Sequence, residues 1–408
     1  MSQFDRVVIL ADESANWKVA GLRQLERLAL ALIEFSKAAG SGEKIDIVVF
    51  WKPDVPARQR WLPNPSRISC AGVSESSLSF HFGARVLSTR LFVERNGLAQ
   101  FIAMTPSVNV DQSSVDLIEA WRQLVAQFEE ASRSAIGIDK NTTWHLLSAR
   151  ADIAACERRF LSRAGKSQDG PVSKFLNRPI SRWVTRLLLK FPTSPTGWTM
   201  SIFVLPALSC VFLSLGGYIE IVTGTLLYQL HSILDGCDGE IARAKYLESK
   251  SGGRIDDLCD LVGAFLFVIG LGLGLYRASH ASYSSLYVIE GIFCALLIAM
   301  NEWLLRIPKR AVDLESSTLN QVLYPRHRDM IQQSGLLLLG ENFVWFLVQI
   351  TKRDVGILFF VLLALAGLPQ WILHLWLAVT VVDVCLTGIA RLKTLSNRRG
   401  DLSSGSLP

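Results

Sequence analysis

The chain has 408 residues, half of them hydrophobic, with a formal net charge of +6 and a mean hydropathy of +0.30. That length has room for two or three domains, and the apolar excess is uneven: residues 1–170 read as soluble, whereas 197–392 carry nearly all the long apolar runs. Seven cysteines without a CxxC pair exclude a disulfide framework as the default reading and leave reduced, packed thiols. The polar stretch Met1–Arg6 and the short run Val7–Ala11 do not make a secretion signal, so the N-terminal region is expected in the cytoplasm.

In chain order, Arg6–Asp12 is a short apolar run ending in a polar loop, which suits a buried parallel strand. Helical spacing follows at Leu22, Leu25, Leu28, Leu30, Leu32 and Ile33, stopping near Gly40, and Ile45–Phe50 reads as the next strand. This β-α-β order predicts an α/β domain over residues 1–165, with 84–93, 99–104, 115–128 and 143–147 continuing the pattern. A Gly/Ser/Lys-rich boundary at Gly165–Gly170 precedes an amphipathic helix placed at 170–192. On it Lys174, Arg178, Arg182, Arg186 and Lys190 recur every fourth residue, read as one solvated stripe opposite Phe175, Leu176, Ile180, Trp183, Val184, Leu187 and Leu188. Such a helix suits a membrane interface, with cations toward anionic headgroups.

Six spans are expected within a membrane domain at 193–395, at about 198–215, 218–235, 261–276, 286–305, 355–368 and 371–390, with a polar tail at 396–408. The run Ser334–Ile350, interrupted by Glu341 and Asn342, reads as an in-plane helix. The basic residues of the 174–190 stripe, Arg243, Lys245, Lys250, Arg254, Lys309, Arg310, Arg326, Arg328, Lys352, Arg353, Arg391, Lys393, Arg398 and Arg399 collect on one side, and the other has little beyond Arg277. The positive-inside bias then puts both termini in the cytoplasm.

Between the second and third expected spans stand Asp235, Asp238, Asp256 and Asp260. Asp235 and Asp238 are three apart and Asp256 and Asp260 four apart, so each pair shares a helix face. Two helices folding back across the short loop Tyr246–Gly253 bring the pairs together, where mutual repulsion calls for divalent cations. Gly239 leaves bare backbone for a close ligand, and Arg243 offers a fork of donors for a pyrophosphate. Cys237 and Cys259 flank the acids, but soft thiolates suit a hard-metal site poorly and read as packing. The spacing D-x2-D-G-x2-A-R-x8-G-x3-D-x3-D resembles, at every fixed position, the signature of the CDP-alcohol phosphotransferases (CDP-alcohol phosphatidyltransferases).

That resemblance implies a six-helix membrane domain with an active site facing the cytoplasm. It implies one or two Mg²⁺ or Mn²⁺ ions held by Asp235, Asp238 and Asp256, with Asp260 as general base and further metal contact. Asp235, Gly239, Ala242, Arg243 and Gly252 would bind the nucleotide, and Lys352 and Arg353 would meet a phosphorylated acceptor, although positive-inside anchoring explains those two cations equally well. Ser194–Thr199 resembles the family's Pro-Asn-x-x-Thr start of the first span, with Thr196 where Asn is usual. The implied partners are a CDP-alcohol donor, a polyol or polyol-phosphate acceptor, membrane lipids and a second copy in a homodimer, with no nucleic acid.

The front region resembles a nucleotidyltransferase-like domain, but its loop Leu10–Asn16 has no glycine and carries Asp12 and Glu13 where phosphates should lie. The domain order, with Asp169-Gly170 and Asn177–Ser181, resembles fused inositol-phosphate cytidylyltransferase/di-inositol-phosphate-phosphate synthases. The expectation is an inactive front domain served by a separate cytidylyltransferase. A bifunctional cytidylyltransferase/transferase and a non-catalytic membrane scaffold are the alternatives.

Overall fold

β-Branched and aromatic residues at Arg6–Ala11 and Asp46–Trp51 form two central parallel strands, β1 and β4, of a four-stranded sheet. The computed structural model describes residues 6–38, 46–63, 70–72, 85–94, 97–104, 117–136, 143–163, 169–279, 283–306 and 352–403. Two short strands, β2 (Lys18–Val19) and β3 (Leu22–Arg23), pair antiparallel ahead of helix α1 (Gln24–Ala38). β5 (Cys70–Gly72) and β6 (Arg85–Ser88) complete the main sheet in the order β5-β4-β1-β6, all parallel. β7 (Leu91–Val93) pairs antiparallel with β8 (Trp144–Leu146), and α2 (Gly97–Met104), α3 (Leu117–Ile136) and α4 (Asp152–Arg163) fill out the layer.

The first strand, the first helix and the second predicted strand fall where the apolar spacing put them. Leu25, Leu28 and Leu32, one face of α1, are fully buried against Val7–Leu10 of β1. The chain leaves β1 for β4 on one side and reaches β6 on the other, so the strand order reverses beside β1. Open α/β sheets place their ligand crevices at such a reversal, outside the strands' carboxyl ends. A cleft of about 530 Å³ lies there, lined by Asp12, Ser14, Lys52, Asp54, Arg90 and Arg150.

The glycine-free loop folds on itself. Asp12 caps a 3₁₀ turn at Glu13–Asn16 by accepting from Ser14 N at 2.8 Å, and it pairs with Arg90 at 2.8 Å. Burial pushes the Asp12 carboxyl up, but the Ser14 hydrogen bonds and the Arg90 charge outweigh it and hold the group below its ordinary value. Stability from this group is therefore complete above the ordinary carboxylate range and is lost as pH falls through the lower, folded value. Acid titration of unfolding should show Asp12→Asn losing its disadvantage at the lowest pH, and a gap that widens on acidification would contradict the assignment. Burial pushes the Cys156 thiol of α4 up to about 12, and all six cysteines whose side chains are described are free thiols.

By compactness the chain divides into one unit of 1–164 with 186–192 and 241–247, and another of 165–185, 193–240 and 248–408. In the second, a π turn at Ser173–Asn177 leads into α5 (Arg178–Leu188). α6 (Pro195–Ile202) and α7 (Val204–Leu215) run almost end to end, followed by α8 (Tyr218–Lys245), α9 (Lys250–Ala278) and α10 (Ser285–Arg306). α11 (Arg353–Leu365) and α12 (Pro369–Ser403) close the chain, so 396–403 continues a helix. α9 packs on α7 and α10. It sits so close that a Cβ at Gly274 would lie 1.9 Å from the Leu213 carbonyl, the small-residue contact usual between membrane helices. Tyr228, Phe267, Phe360 and Trp376 cluster at the centre, joining α8, α9, α11 and α12.

Four described helices are long and apolar enough to cross a membrane: Pro195–Leu215, Lys250–Ala278, Ser285–Leu304 and Pro369–Ile389. They coincide with the first, third, fourth and sixth expected spans. The second, on α8, is long at 28 residues but carries Glu220, Gln229, His231 and the acids beyond. The fifth, α11, has 13 residues, about 20 Å at the helical rise, short of a ~30 Å hydrocarbon core. The expected in-plane helix Ser334–Ile350 and the cations Lys309, Arg310, Arg326 and Arg328 lie outside the described residues.

The solvated stripe on the juxtamembrane helix is corrected. Lys174 and Lys190 are exposed, Arg182 and Arg186 half-buried, and Arg178 is buried. A four-residue step turns the helix by roughly 40° beyond a full turn, so five such residues fan out rather than line up. Most of the apolar side faces outward, with Phe175 at 76% and Trp183 at 65% exposure, whereas Val184 and Leu188 are half-buried. An outward apolar face on a helix beside membrane spans is the arrangement an interfacial helix needs.

Candidate active site

The carboxylates come from two helices joined by a four-residue turn. α8 ends at Lys245, Tyr246 takes a left-handed conformation (φ 54°), and Ser249 caps α9 by accepting from Gly252 N at 2.9 Å. The predicted loop to Gly253 is thus shorter, because the Ser249 cap starts the helix at Lys250 and draws both glycines into its first turn.

This reversal brings Asp235 and Asp238 of α8 to Asp256 of α9. One carboxylate oxygen from each lies within 4.8 Å of the other two. A second group, His231, Asp235 and Asp260, also has its ligand atoms within 4.8 Å of one another. Asp235 belongs to both, and His231, only 1% exposed, sits one turn before it. The first group is all oxygen and negatively charged, which suits a hard dication such as Mg²⁺ or Mn²⁺. A histidine in the second makes it more borderline.

Neighbouring helices aim these side chains. Ser194 caps α6 by accepting from Gly197 N at 3.1 Å, with Pro195 at the first helical position. That start carries Thr199, whose hydroxyl donates to Asp238 Oδ2 at 2.7 Å, and Trp198, whose indole N–H donates to the Leu234 carbonyl at 3.0 Å. Arg353, at the head of α11, grips Asp260 with two guanidinium nitrogens, Nη2 to Oδ1 at 2.9 Å and Nη1 to Oδ2. Lys352 donates at 3.4 Å to the Asp169 carbonyl. The two cations expected to act together at an acceptor thus have different partners. Gly239, Ala242 and Arg243 follow along α8, with Ala242 buried and Arg243 half-buried.

Two features escaped the residue reading. Thr199 is legible in the sequence as part of a helix start, but not as a donor to Asp238. Glu240, an extra acid inside the motif, is completely buried, accepting from Arg178 at 3.2 Å, Ser181 at 2.9 Å and Thr185 at 2.7 Å. Its signal was visible, since an acid on a helix of a membrane bundle needs a named partner.

The family model described as CDP-alcohol phosphatidyltransferase matches residues 193–382, the stretch that holds both carboxylate pairs. Residues 193–382 are a CDP-alcohol phosphatidyltransferase domain. Similar proteins share one description, bifunctional IPC transferase and DIPP synthase. The protein from Archaeoglobus fulgidus is 37% identical over 131 residues, 32% of this chain and 26% of its own. The one from Rubrobacter xylanophilus is 35% identical over 170 residues, 41% of this chain and 38% of its own. That of Thermococcus kodakarensis is 33% identical over 148 residues, 36% and 33% of the two chains. The chain therefore spans between 26% and 38% of the length of these relatives. With its apolar helices, the CDP-alcohol phosphatidyltransferase domain makes this a membrane protein.

Proposed function

We propose that the chain is an integral membrane CDP-alcohol phosphotransferase, joining a CDP-alcohol to a polyol or polyol-phosphate acceptor and releasing CMP. The observation that carries this reading is the convergence of Asp235, Asp238 and Asp256 within 4.8 Å at the turn of the family domain. Those residues would hold a divalent ion, which supplies charge neutralisation for the diphosphate. Gly239 and Gly252 leave bare backbone beside the nucleotide, and Arg243 adds donors for its phosphates. Asp260 takes the proton of the acceptor hydroxyl as its oxygen bonds to the β-phosphorus and the bond to CMP breaks. Arg353 holds Asp260 in orientation through two guanidinium nitrogens, and the guanidinium has further donors for an acceptor phosphate.

In this reading α8 and α11 cross with the four apolar helices to make six spans, and both termini and the carboxylates face the cytoplasm. Two copies form a homodimer. The test is CMP release from a panel of CDP-alcohols and acceptors, including inositol phosphate, with Mg²⁺ or Mn²⁺. A purified, folded chain that releases CMP from none of them would leave the scaffold reading standing.

The relatives' description names two activities, which favours a bifunctional protein; the front domain would then carry the second activity. The loop supports an inactive one instead. The N–H groups of Ser14, Ala15 and Trp17 are spent within the 3₁₀ turn, to Asp12 Oδ1, Asp12 O and Ser14 O. A phosphate-cradling loop keeps such donors open. The full chain carrying Asp260→Asn, given CTP and a polyol phosphate, should release no pyrophosphate above background. Steady release would restore the bifunctional reading.

A further inference from the structure

The turn of α8 that carries Asp235 and Asp238 has a second working face. Gly236, Cys237 and Glu240 lie on it, and Glu240 stands roughly 140–160° around the helix from the two aspartates. Glu240 is fully buried. It accepts from Arg178 Nη1 at 3.2 Å, Ser181 Oγ at 2.9 Å and Thr185 Oγ1 at 2.7 Å, three donors on one face of α5. Arg178 is held in turn by Asp169, through Nε at 2.8 Å and Nη2 at 2.9 Å, and reaches the Gly236 carbonyl at 3.4 Å. A Cβ at Gly236 would lie 2.9 Å from Arg178 Nη1, so a side chain there would push the guanidinium aside. Cys237 adds a thiol contact to the Ser181 carbonyl at 3.4 Å.

The same juxtamembrane segment also holds the far side of the site. Ser173 N donates to Asp354 Oδ2 at 2.6 Å and Lys352 to the Asp169 carbonyl, fixing the head of α11 next to Arg353, the partner of Asp260. One polar seam thus touches α8 and α11, two of the helices whose side chains meet the candidate site.

We infer that Glu240, clamped by Arg178, Ser181 and Thr185, is a positioning residue that sets the rotation of α8 and so aims Asp235 and Asp238 at the metal and diphosphate. The physical need is specific to this setting. Apolar packing between membrane helices tolerates rotation and sliding, whereas a buried carboxylate with three donors has one satisfied arrangement. A turn of α8 by roughly 10° would move a carboxylate about 1 Å, and misplacement of that size can lower a rate about a hundredfold. Glu240 touches neither substrate nor metal in this account. The inference rests on the proposed phosphotransferase reading, and its test separates the two.

The full chain in detergent or nanodiscs is compared with Glu240→Gln and Thr185→Val, by Mn²⁺ titration followed by electron paramagnetic resonance and by CMP release at saturating Mn²⁺. Glu240→Gln should bind Mn²⁺ about tenfold more weakly and lose at least tenfold in kcat, with KM for the CDP-alcohol within threefold. Thr185→Val, which removes one hydrogen bond without changing shape, should lose about threefold in both. Arg178→Lys combined with Glu240→Gln should bind Mn²⁺ no worse than the weaker single variant, because the pair acts as one unit. A folded Glu240→Gln with wild-type Mn²⁺ affinity and kcat, merely melting lower, overturns the inference. If that variant fails to fold, an unaltered Thr185→Val does the same. Weakened Mn²⁺ binding in a protein that releases CMP from no CDP-alcohol keeps the latch and removes the proposed reaction. A wild-type chain that binds no Mn²⁺ removes both.

Discussion

Asp235→Ala and Asp256→Ala should each lower CMP release by about a thousandfold or more and weaken Mn²⁺ binding in parallel. Each carboxylate is one of three oxygen donors within 4.8 Å, with no other acid of the first group to replace it. Asp235 should be the more severe loss, since it also belongs to the group with His231 and Asp260. Turnover near wild type in either variant would refute the metal assignment, and reduced turnover with unchanged Mn²⁺ affinity would move that residue to a substrate-contact role.

Asp260→Asn should separate proton transfer from metal binding. The amide keeps the size of the carboxyl and can still accept from Arg353, so the head of α11 stays in place. A lost general base lowers the rate by about 10²–10⁴. Mn²⁺ affinity should change by only a few-fold, because Asp260 lies outside the Asp235, Asp238 and Asp256 group. Loss of Mn²⁺ binding along with activity would make Asp260 chiefly a ligand. An active Asp260→Asn would mean that the acceptor proton leaves by another route.

How a residue's role shows depends on how local its cause is. The four aspartates announced themselves through spacing, since three- and four-residue steps share a helix face wherever the helix sits. The β1, α1 and β4 elements were readable for the same reason. The direction of the juxtamembrane cations was not, because fourfold spacing alone cannot say which side of a helix finds a partner. Arg178 turned inward once Asp169 and Glu240 were there to meet it. Arg353 was legible as a cation near the acceptor region, but its partnership with Asp260 joins positions 93 residues apart in sequence.

Spacing and composition therefore determined, unaided, that acids would gather at a helical turn beside a membrane, and which four they are. Tertiary structure alone decided what aims them: Thr199 on Asp238, Arg353 on Asp260, and the seam around Glu240 behind Asp235. The reason is physical. A helix face follows from the period of the backbone, whereas a hydrogen bond between distant segments exists only after packing has chosen which faces meet.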